Sequence, residues 1–513
     1  MRTPKPKLAA ALATALGLAA SAAGSAQPPA APAAPAGTNP GIQVVTLPSP
    51  GSPLVALRLF FAVGSIHDPA GKEGLAALTA QMIGEAGTAK RSYQELAEAL
   101  YPMAASIDTN ADREVTVVAG RIHKDKLADY TALLEEALLH PGFAQGDFER
   151  NKEQLVAYLT TTLRSSDDEL LGLEAIQDAI FAHHPYGHPT AGTVEGLKNI
   201  TLDDVKSFYR EHYTQANLML GVAGGYPAGY VEQLTKDLAA LPAGQPGRKE
   251  LPPAPTSTGR NFHLIDKPTA SVGIHFGYAL PINRSNPDYY PLMVANSYLG
   301  EHRTMHGRLM QQLREARGLN YGDYSYIEFW HLPPRTSKPS PNVPRREQYF
   351  SVWVRPVVPD TAHFAVRDAL YEVERLRDQG MTQAEFDLTR EFLLNYSRLW
   401  AQTLQDRLGF LLDSRFYGMP SYIDEIQSRL PKLTVEEVNR AAKKYLQTDN
   451  FEAVVVTNHA ADFKATLEKE QASPMKYNSQ PAAAVLEADK TIEALKVKPT
   501  SIEIIPIAQM FEK

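Results

Sequence analysis

Two imidazoles four residues apart are the first chemistry this chain offers. His302 and His306 stand in His-Arg-Thr-Met-His, a spacing compatible with two zinc donors. A catalytic zinc site needs a third protein ligand and a group that deprotonates bound water. Here no Glu stands between the two histidines, and no third donor is evident nearby. They are read as surface or packing histidines. A second group, His183, His184 and His188, lies in His-His-Pro-Tyr-Gly-His-Pro, where Pro185 and Pro189 indicate a structural turn. The 513 residues include no cysteine, which excludes thiolate ligands, thiol nucleophiles and disulfides. No Ser/His/Asp set, phosphate-binding loop or dinucleotide fingerprint stands in a convincing context.

Any site must be held by a fold, and the composition describes a soluble globular one, with 44% hydrophobic and 21% charged residues. The beginning of the chain is different. Arg2, Lys5 and Lys7 precede a small apolar run from Leu8 to Ala20, and Gly24-Ser25-Ala26 offers a cleavage site before Gln27. Residues 1–26 are therefore expected to be a secretory signal, too short to span a membrane. Residues 27–40, rich in Ala and Pro, are expected to be a disordered tether. Removing the three cations moves the net charge from -7 to about -10, which argues against nucleic acid or an anionic membrane as partner. An exported chain without cysteine fits a bacterial periplasm.

Strands are expected at Gln43–Leu47, Leu54–Val63, Ala104–Thr109, Glu114–Ala119 and Asn217–Ala223. Between them fall helices over Gly74–Ile83, Ser92–Leu100, Lys124–Leu139, Gln145–Arg164, Asp168–Phe181 and Leu202–His212. Ser92 with Glu95 reads as a capping box. Residues 241–260, rich in Pro and Gly, read as a linker. The pattern then restarts, with strands at Ser271–Ala279, Tyr349–Val357 and Phe451–Thr457. Helices are expected over Tyr289–Leu299 and Arg308–Arg317, then as long helices to about Tyr445. Pro333–Pro344 is expected to be an exposed insertion. The restart is a repeat: Thr201, Asp204, Val205 and Asn217 recur as Thr434, Glu437, Val438 and Asn450 at a constant offset, and Gln145 and Phe148 recur as Gln383 and Phe386. A tandem duplication is expected, with lobes over residues 41–240 and 261–460. A tail over 461–513 ends in the strand-like run Ser501–Ile507 and docks on a lobe or on a partner.

Several motifs in order resemble the pitrilysin/insulinase-type metallopeptidases, which carry an inverted zinc motif. They are Gly64-Ser65, the Gly74–Thr88 frame, His184-Pro185-Tyr186-Gly187, and the set Leu202, Asp204, Val205, Phe208 and Tyr209. In the second half, Tyr298-Leu299-Gly300 leads to Leu313-Arg314-Glu315-Ala316-Arg317-Gly318-Leu319-Asn320-Tyr321. The resemblance covers about residues 41–460. It implies an α+β fold of two homologous lobes, each a duplicated, mainly antiparallel sheet covered by helices, as in the mitochondrial processing peptidase. It also places the family's zinc helix on Gly74–Thr88, where Ala77 and Gln81 stand at the two histidine positions and Ala80 at the catalytic glutamate. The third ligand position falls on Tyr158. Alanine has no donor and a neutral amide is a poor zinc ligand, so no metal or cofactor is expected in this chain.

The resemblance further implies a substrate-gripping Arg and Tyr seven residues apart, here Arg314 and Tyr321. A guanidinium and a phenol both donate to a peptide carbonyl or a developing oxyanion. The competing assignment pairs Arg314 with Glu315 or Asp323 and packs Tyr321 on a strand, and Arg317 stands one turn away as a rival for the role. The chain is expected to be the non-catalytic, peptide-binding subunit of a periplasmic heterodimer, with zinc on a homologous partner. The alternative is a structural or peptide-binding core protein with no peptidase partner.

Overall fold

The three-dimensional structure is a computed structural model that describes residues 41–245, 248–331, 337–477 and 480–513, which belong to one unit. The expected signal and tether, and part of the Pro-rich insertion, lie outside the described residues. The first half runs β1 (Gln43–Pro48), β2 (Leu54–Phe61), α1 (Leu75–Gly84), α2 (Tyr93–Leu100), β3 (Asp108–Ala111), β4 (Thr116–His123), α3 (Leu127–Leu139) and α4 (Gln145–Ala157). After α4 the chain widens into π-helical turns over Tyr158–Ser166. It continues through α5 (Asp168–Ile180), α6 (Val194–Asn199), α7 (Leu202–His212), β5 (Leu218–Gly224) and α8 (Tyr230–Leu238).

The second half repeats this order. It comprises β6 (Arg260–Asp266), β7 (Val272–Leu280), α9 (Tyr289–Gly300), a π-helical segment over Met310–Glu315, β8 (Asp323–Tyr326) and β9 (Gln348–Val357). Then come α10 (Ala362–Gln379), α11 (Gln383–Trp400), α12 (Leu404–Phe416), α13 (Tyr422–Arg429), α14 (Val435–Tyr445), β10 (Phe451–Thr457) and α15 (Ala460–Glu468). The tail adds α16 (Ala483–Ala494) and β11 (Ser501–Pro506).

The two sheets have one topology. The first is ordered β1-β5-β2-β4-β3, and the second β6-β10-β7-β9-β8 with β11 added outside β6. In each, the first strand lies parallel to the last of its half, Val45 opposite Gly221 and Phe262 opposite Ala453, and the remaining pairs within that half are antiparallel. The expected duplication is thus a duplication of fold. The helices that the sequence offset pairs begin alike: Thr201 and Thr434 both accept from the backbone three residues on, and Asp204 and Glu437 return the bond. Those boxes satisfy orphan N–H groups at each helix start.

Each sheet buries one face beneath helices of its own half, and the other face takes a helix from the opposite half. Helix α5 packs on β7 and β10, and α12 on β1, β2 and β5. Leu408, Leu412 and Phe416 of α12 close over Val45, Phe60 and Met219. Gly172 lets α5 approach β7, because a Cβ there would lie 2.4 Å from the His275 ring. Buried ion pairs lock the same junction. Arg345 grips Asp112 with two bonds of 2.8 and 2.6 Å, and Arg346 reaches Glu114 at 2.6 Å.

Several expected bounds shift. The hairpin expected at Ala104–Ala119 has its strands later, with Asp108 opposite Ala119 and the turn at 112–115. Asp112 and Glu114 are held at that turn by the ion pairs just described. The single helix expected over Gln145–Arg164 changes to π-helical turns at Tyr158, and that over Arg308–Arg317 is π-helical from Met310 to Glu315. Strand β6 lies where the linker reading ended and had not been anticipated. The tail docks on both halves. β11 pairs in parallel with β6, Ile502 opposite Phe262. Beyond it the Phe511 and Glu512 carbonyls accept from Val194 and Glu195 at 3.0 and 2.8 Å.

Candidate functional site

Helix α1 carries Ala77, Ala80 and Gln81, the residues that the resemblance sets at the zinc-motif positions. Gly74 opens α1 at φ +106, and a Cβ there would meet the Ala191 carbonyl at 2.7 Å. Asp68 accepts from the N–H groups of Gly74 and Ala76 at 2.8 and 2.7 Å, so its carboxyl group satisfies two of the orphan donors at the buried start of the helix. Ala77 and Ala80 are buried, and Gln81 is half-buried with an Oε1 that has no hydrogen-bond partner among the described residues. Tyr158 begins the π-helical turns after α4. Burial, with Glu174 and Asp167 adding to it, pushes its phenol well above the usual range. Methyl groups, a neutral amide and a protonated phenol do not make a zinc site, and no step of metal chemistry can be written through these residues. Among the described residues no cluster of three or more His, Asp or Glu side chains is arranged to hold a metal.

The other histidines have identifiable surroundings. His302 and His306 lie in a loop after α9 and not on a helix. His302 is buried, its Nδ1 2.8 Å from the Tyr326 hydroxyl, and its ring packs against Tyr324, Trp330 and Trp353, whereas His306 is exposed. In the His183–Pro189 loop, the Tyr186 N–H donates to His184 Nδ1 at 3.1 Å and His184 Nε2 lies 3.1 Å from the Pro252 carbonyl. Tyr186 donates to Glu114, the partner of Arg346, so the loop belongs to the junction between halves.

Arg314 and Tyr321 come together on the surface of the second half. The guanidinium carbon lies 5.8 Å from the centre of the Tyr321 ring, which is 77% exposed. The Arg314 side chain is 30% exposed, and its charged neighbour is Glu315, 3.5 Å away and half in solvent. Its other contacts are thioethers: Nη1 points to Met305 Sδ at 3.3 Å and Met310 Sδ at 3.7 Å. Asp323, the other proposed ion partner, is fully buried on β8 and accepts from Asn320 at 2.6 Å. Tyr321 is therefore not a packing aromatic in this structure, and Arg314 keeps donors available.

Arg317 behaves in the opposite way. Its side chain has no exposure, and it lies 2.9 Å from Asp489 of α16 and 3.3 Å from Asp368 of α10. Its Nη1 also donates to the Gln312 carbonyl at 2.9 Å, inside the π-helical segment that carries Arg314. The widened turn is visible in the bond from Ala316 N–H to the Gln311 carbonyl, 2.9 Å. Such turns occur often at functional sites. Met305, Asp368 and Asp489 had no counterpart in the sequence reading, because no local spacing ties them to the Arg314 frame.

The duplicated, two-lobed α+β fold, with an exposed Tyr321 beside a partly exposed Arg314 in its second half, defines the class. Comparison with known proteins agrees. The family model "Insulinase (Peptidase family M16)" matches residues 43–194, and "Peptidase M16 inactive domain" matches 199–393. The chain is 24% identical over 412 residues to the Helicobacter pylori protein named "Non-peptidase homolog YmxG", covering 80% of this chain and 90% of that one. Its fold is similar to the crystal structure of a peptidase M16 inactive domain from Pseudomonas fluorescens, at a TM-score of 0.71 and 24% identity, covering 81% of this chain and 95% of that one. It is also similar to the periplasmic protease PqqL from Escherichia coli, at a TM-score of 0.64 and 16% identity, covering 90% of this chain and 50% of that one. The chain belongs to the peptidase M16 (insulinase) family.

Proposed function

We propose that this chain is the peptide-binding, non-catalytic subunit of a heterodimeric zinc metallopeptidase, working in the periplasm beside a zinc-bearing homologue. The observation that supports this reading is the contrast between its two frames. The ligand frame on α1 holds Ala77, Ala80 and Gln81, while an exposed Tyr321 stands beside a partly exposed Arg314. The spacing of the two residues matches the pair that the resemblance assigns to gripping substrate, and Tyr321 is free of packing neighbours that would bury it. On this reading Arg314 donates to a carbonyl of the bound peptide and Tyr321 lays its ring and hydroxyl along the backbone. The partner supplies zinc and the water-activating base. Binding from two walls positions an extended peptide before reaction, which is where much of the rate gain of such sites arises.

The periplasmic placement is supported by the signal-like residues 1–26 and by likeness in fold to a periplasmic protease. Among the described residues no helix is long and apolar enough to cross a membrane. The test is to purify the native chain with whatever it binds. A zinc-containing homologue in one-to-one ratio is expected, and Arg314→Ala should lower turnover by the pair by about 10²-fold, the scale of losing one preorganised donor, with zinc content unchanged. Recovery of the chain alone, or full turnover with Arg314→Ala, would remove this assignment.

A further inference from the structure

The loop between α9 and the π-helical segment brings a sulfur onto Arg314. Met305 is 49% exposed, and its Sδ lies 3.3 Å from Arg314 Nη1. The residue two before it, Arg303, sits at φ +56, so the loop turns sharply to lay Met305 over the guanidinium. The second thioether at Arg314, Met310, lies beneath and is buried. Among the described residues every other methionine is buried or half-buried. The chain has no cysteine, so methionine is its only sulfur open to two-electron oxidation.

We propose that Met305 is an oxidative modification site that controls Arg314. The thioether is a weak acceptor and yields readily to a peptide carbonyl. A peroxide-class oxidant changes this. The sulfur lone pair attacks one peroxide oxygen, the O–O bond breaks, and an S–O bond forms. Sulfur is oxidised by two electrons, and hydrogen peroxide is reduced to one water. The sulfoxide oxygen is a strong acceptor already placed at the guanidinium, and its bond to that cation is charge-assisted. It therefore competes with a peptide carbonyl for Nη1 and holds the guanidinium against the loop. Reduction by a methionine sulfoxide reductase returns the thioether and frees Arg314. The inference rests on the reading of Arg314 as a peptide contact, and it adds a regulator to that contact.

The test has two arms. In the isolated full chain, limited hydrogen peroxide followed by peptide mass mapping should oxidise Met305 at least tenfold faster than Met310 or Met510. Phenylglyoxal should then modify Arg314 several-fold more slowly than in untreated protein. In the complex with the zinc-bearing homologue, the same treatment should lower cleavage of fluorescein-labelled casein at least fivefold. Methionine sulfoxide reductase should restore the rate, and Met305→Leu should lose nothing relative to its own untreated sample. Faster oxidation elsewhere, an unchanged phenylglyoxal rate, or parallel losses in wild type and Met305→Leu would each overturn the inference. Arg314→Ala separates the two claims: if it cleaves casein normally, the peptide-contact reading fails. If it is impaired while oxidised wild type is not, the oxidation site alone fails.

Discussion

Arg314 and Arg317 stand one turn apart and are divided by burial. Arg317 is shared between Asp368 and Asp489 without exposure, and removing it takes the nearest cation from buried Asp368 and leaves Asp489, among the described residues, only the Tyr477 hydroxyl. Arg317→Ala should cost about 3–5 kcal/mol of stability, the usual penalty for breaking a buried pair. Arg314→Ala should cost no more than about 1 kcal/mol, because its side chain is partly in solvent and its ion pair with Glu315 lies at the surface, and urea midpoints compare the two directly. The nine-residue frame placed both arginines but could not rank them, because the residue that claims Arg317 lies 172 positions later on the tail helix. The lack of donors on α1 was legible for the converse reason: whether Ala77 or Gln81 can hold zinc is decided by their own side-chain chemistry. His188 supplies a pH handle that only the fold reveals. Burial, reinforced by Arg113, lowers its pKa to about 4. The folded state thus favours the neutral ring. The stability it contributes is present above the unfolded value near 6.5 and is lost as pH falls toward 4. His188→Gln should show a flatter decline in thermal midpoint between pH 7 and pH 4.5 than wild type.

Among the elements, the crossed pair α5 and α12 depends on the closest fits. Gly172 is a point where α5 meets β7, and a methyl there would collide with the His275 ring, itself stacked on Trp353 at an interplanar angle of 10°. Gly172→Ala should destabilise by about 1–3 kcal/mol, the range for forcing extra volume into a packed site. Gly146→Ala on α4 is the control, since nothing lies within 4 Å of its missing Cβ. It should stabilise by up to about 1 kcal/mol through helix propensity. Thermal midpoints moving in the same direction for both would contradict this account of α5. The duplication was readable because capping boxes at Thr201 and Thr434 are local and survive divergence. The exchange of helices between halves was not readable. The apolar residues of α5 and α12 have the same period whichever sheet they cover, and a helix pattern carries no address.

Among the described residues the halves are joined by the crossed helices, by the ion pairs of Arg345 with Asp112 and Arg346 with Glu114, and by the tail. The third join is the one that can be cut without disturbing either sheet. After β11 the chain passes to the first half, where Met510 and Phe511 enter its core and Arg164 holds the Met510 carbonyl and the Glu512 carboxylate, both at 2.8 Å. The apolar run Ser501–Ile507 announced a strand. Its neighbour could not be inferred, because β6 became an available edge only once the second sheet had formed. Ending the chain after Ala508 removes two buried side chains, worth about 1.5–3 kcal/mol each, and leaves Arg164 without its partners. The loss should fall on the first half: faster amide exchange is expected in α6, whose Val194 and Glu195 N–H groups lose their tail carbonyls, with little change in β6 to β10. The Arg314 turn should keep its protection, because Asp489 lies on the part of the tail that remains. Uniform exchange across both halves would mean that the crossed helices, and not the tail, set how firmly the first half is held. Loss of protection at 310–318 would mean that the last residues also position the Arg/Tyr pair.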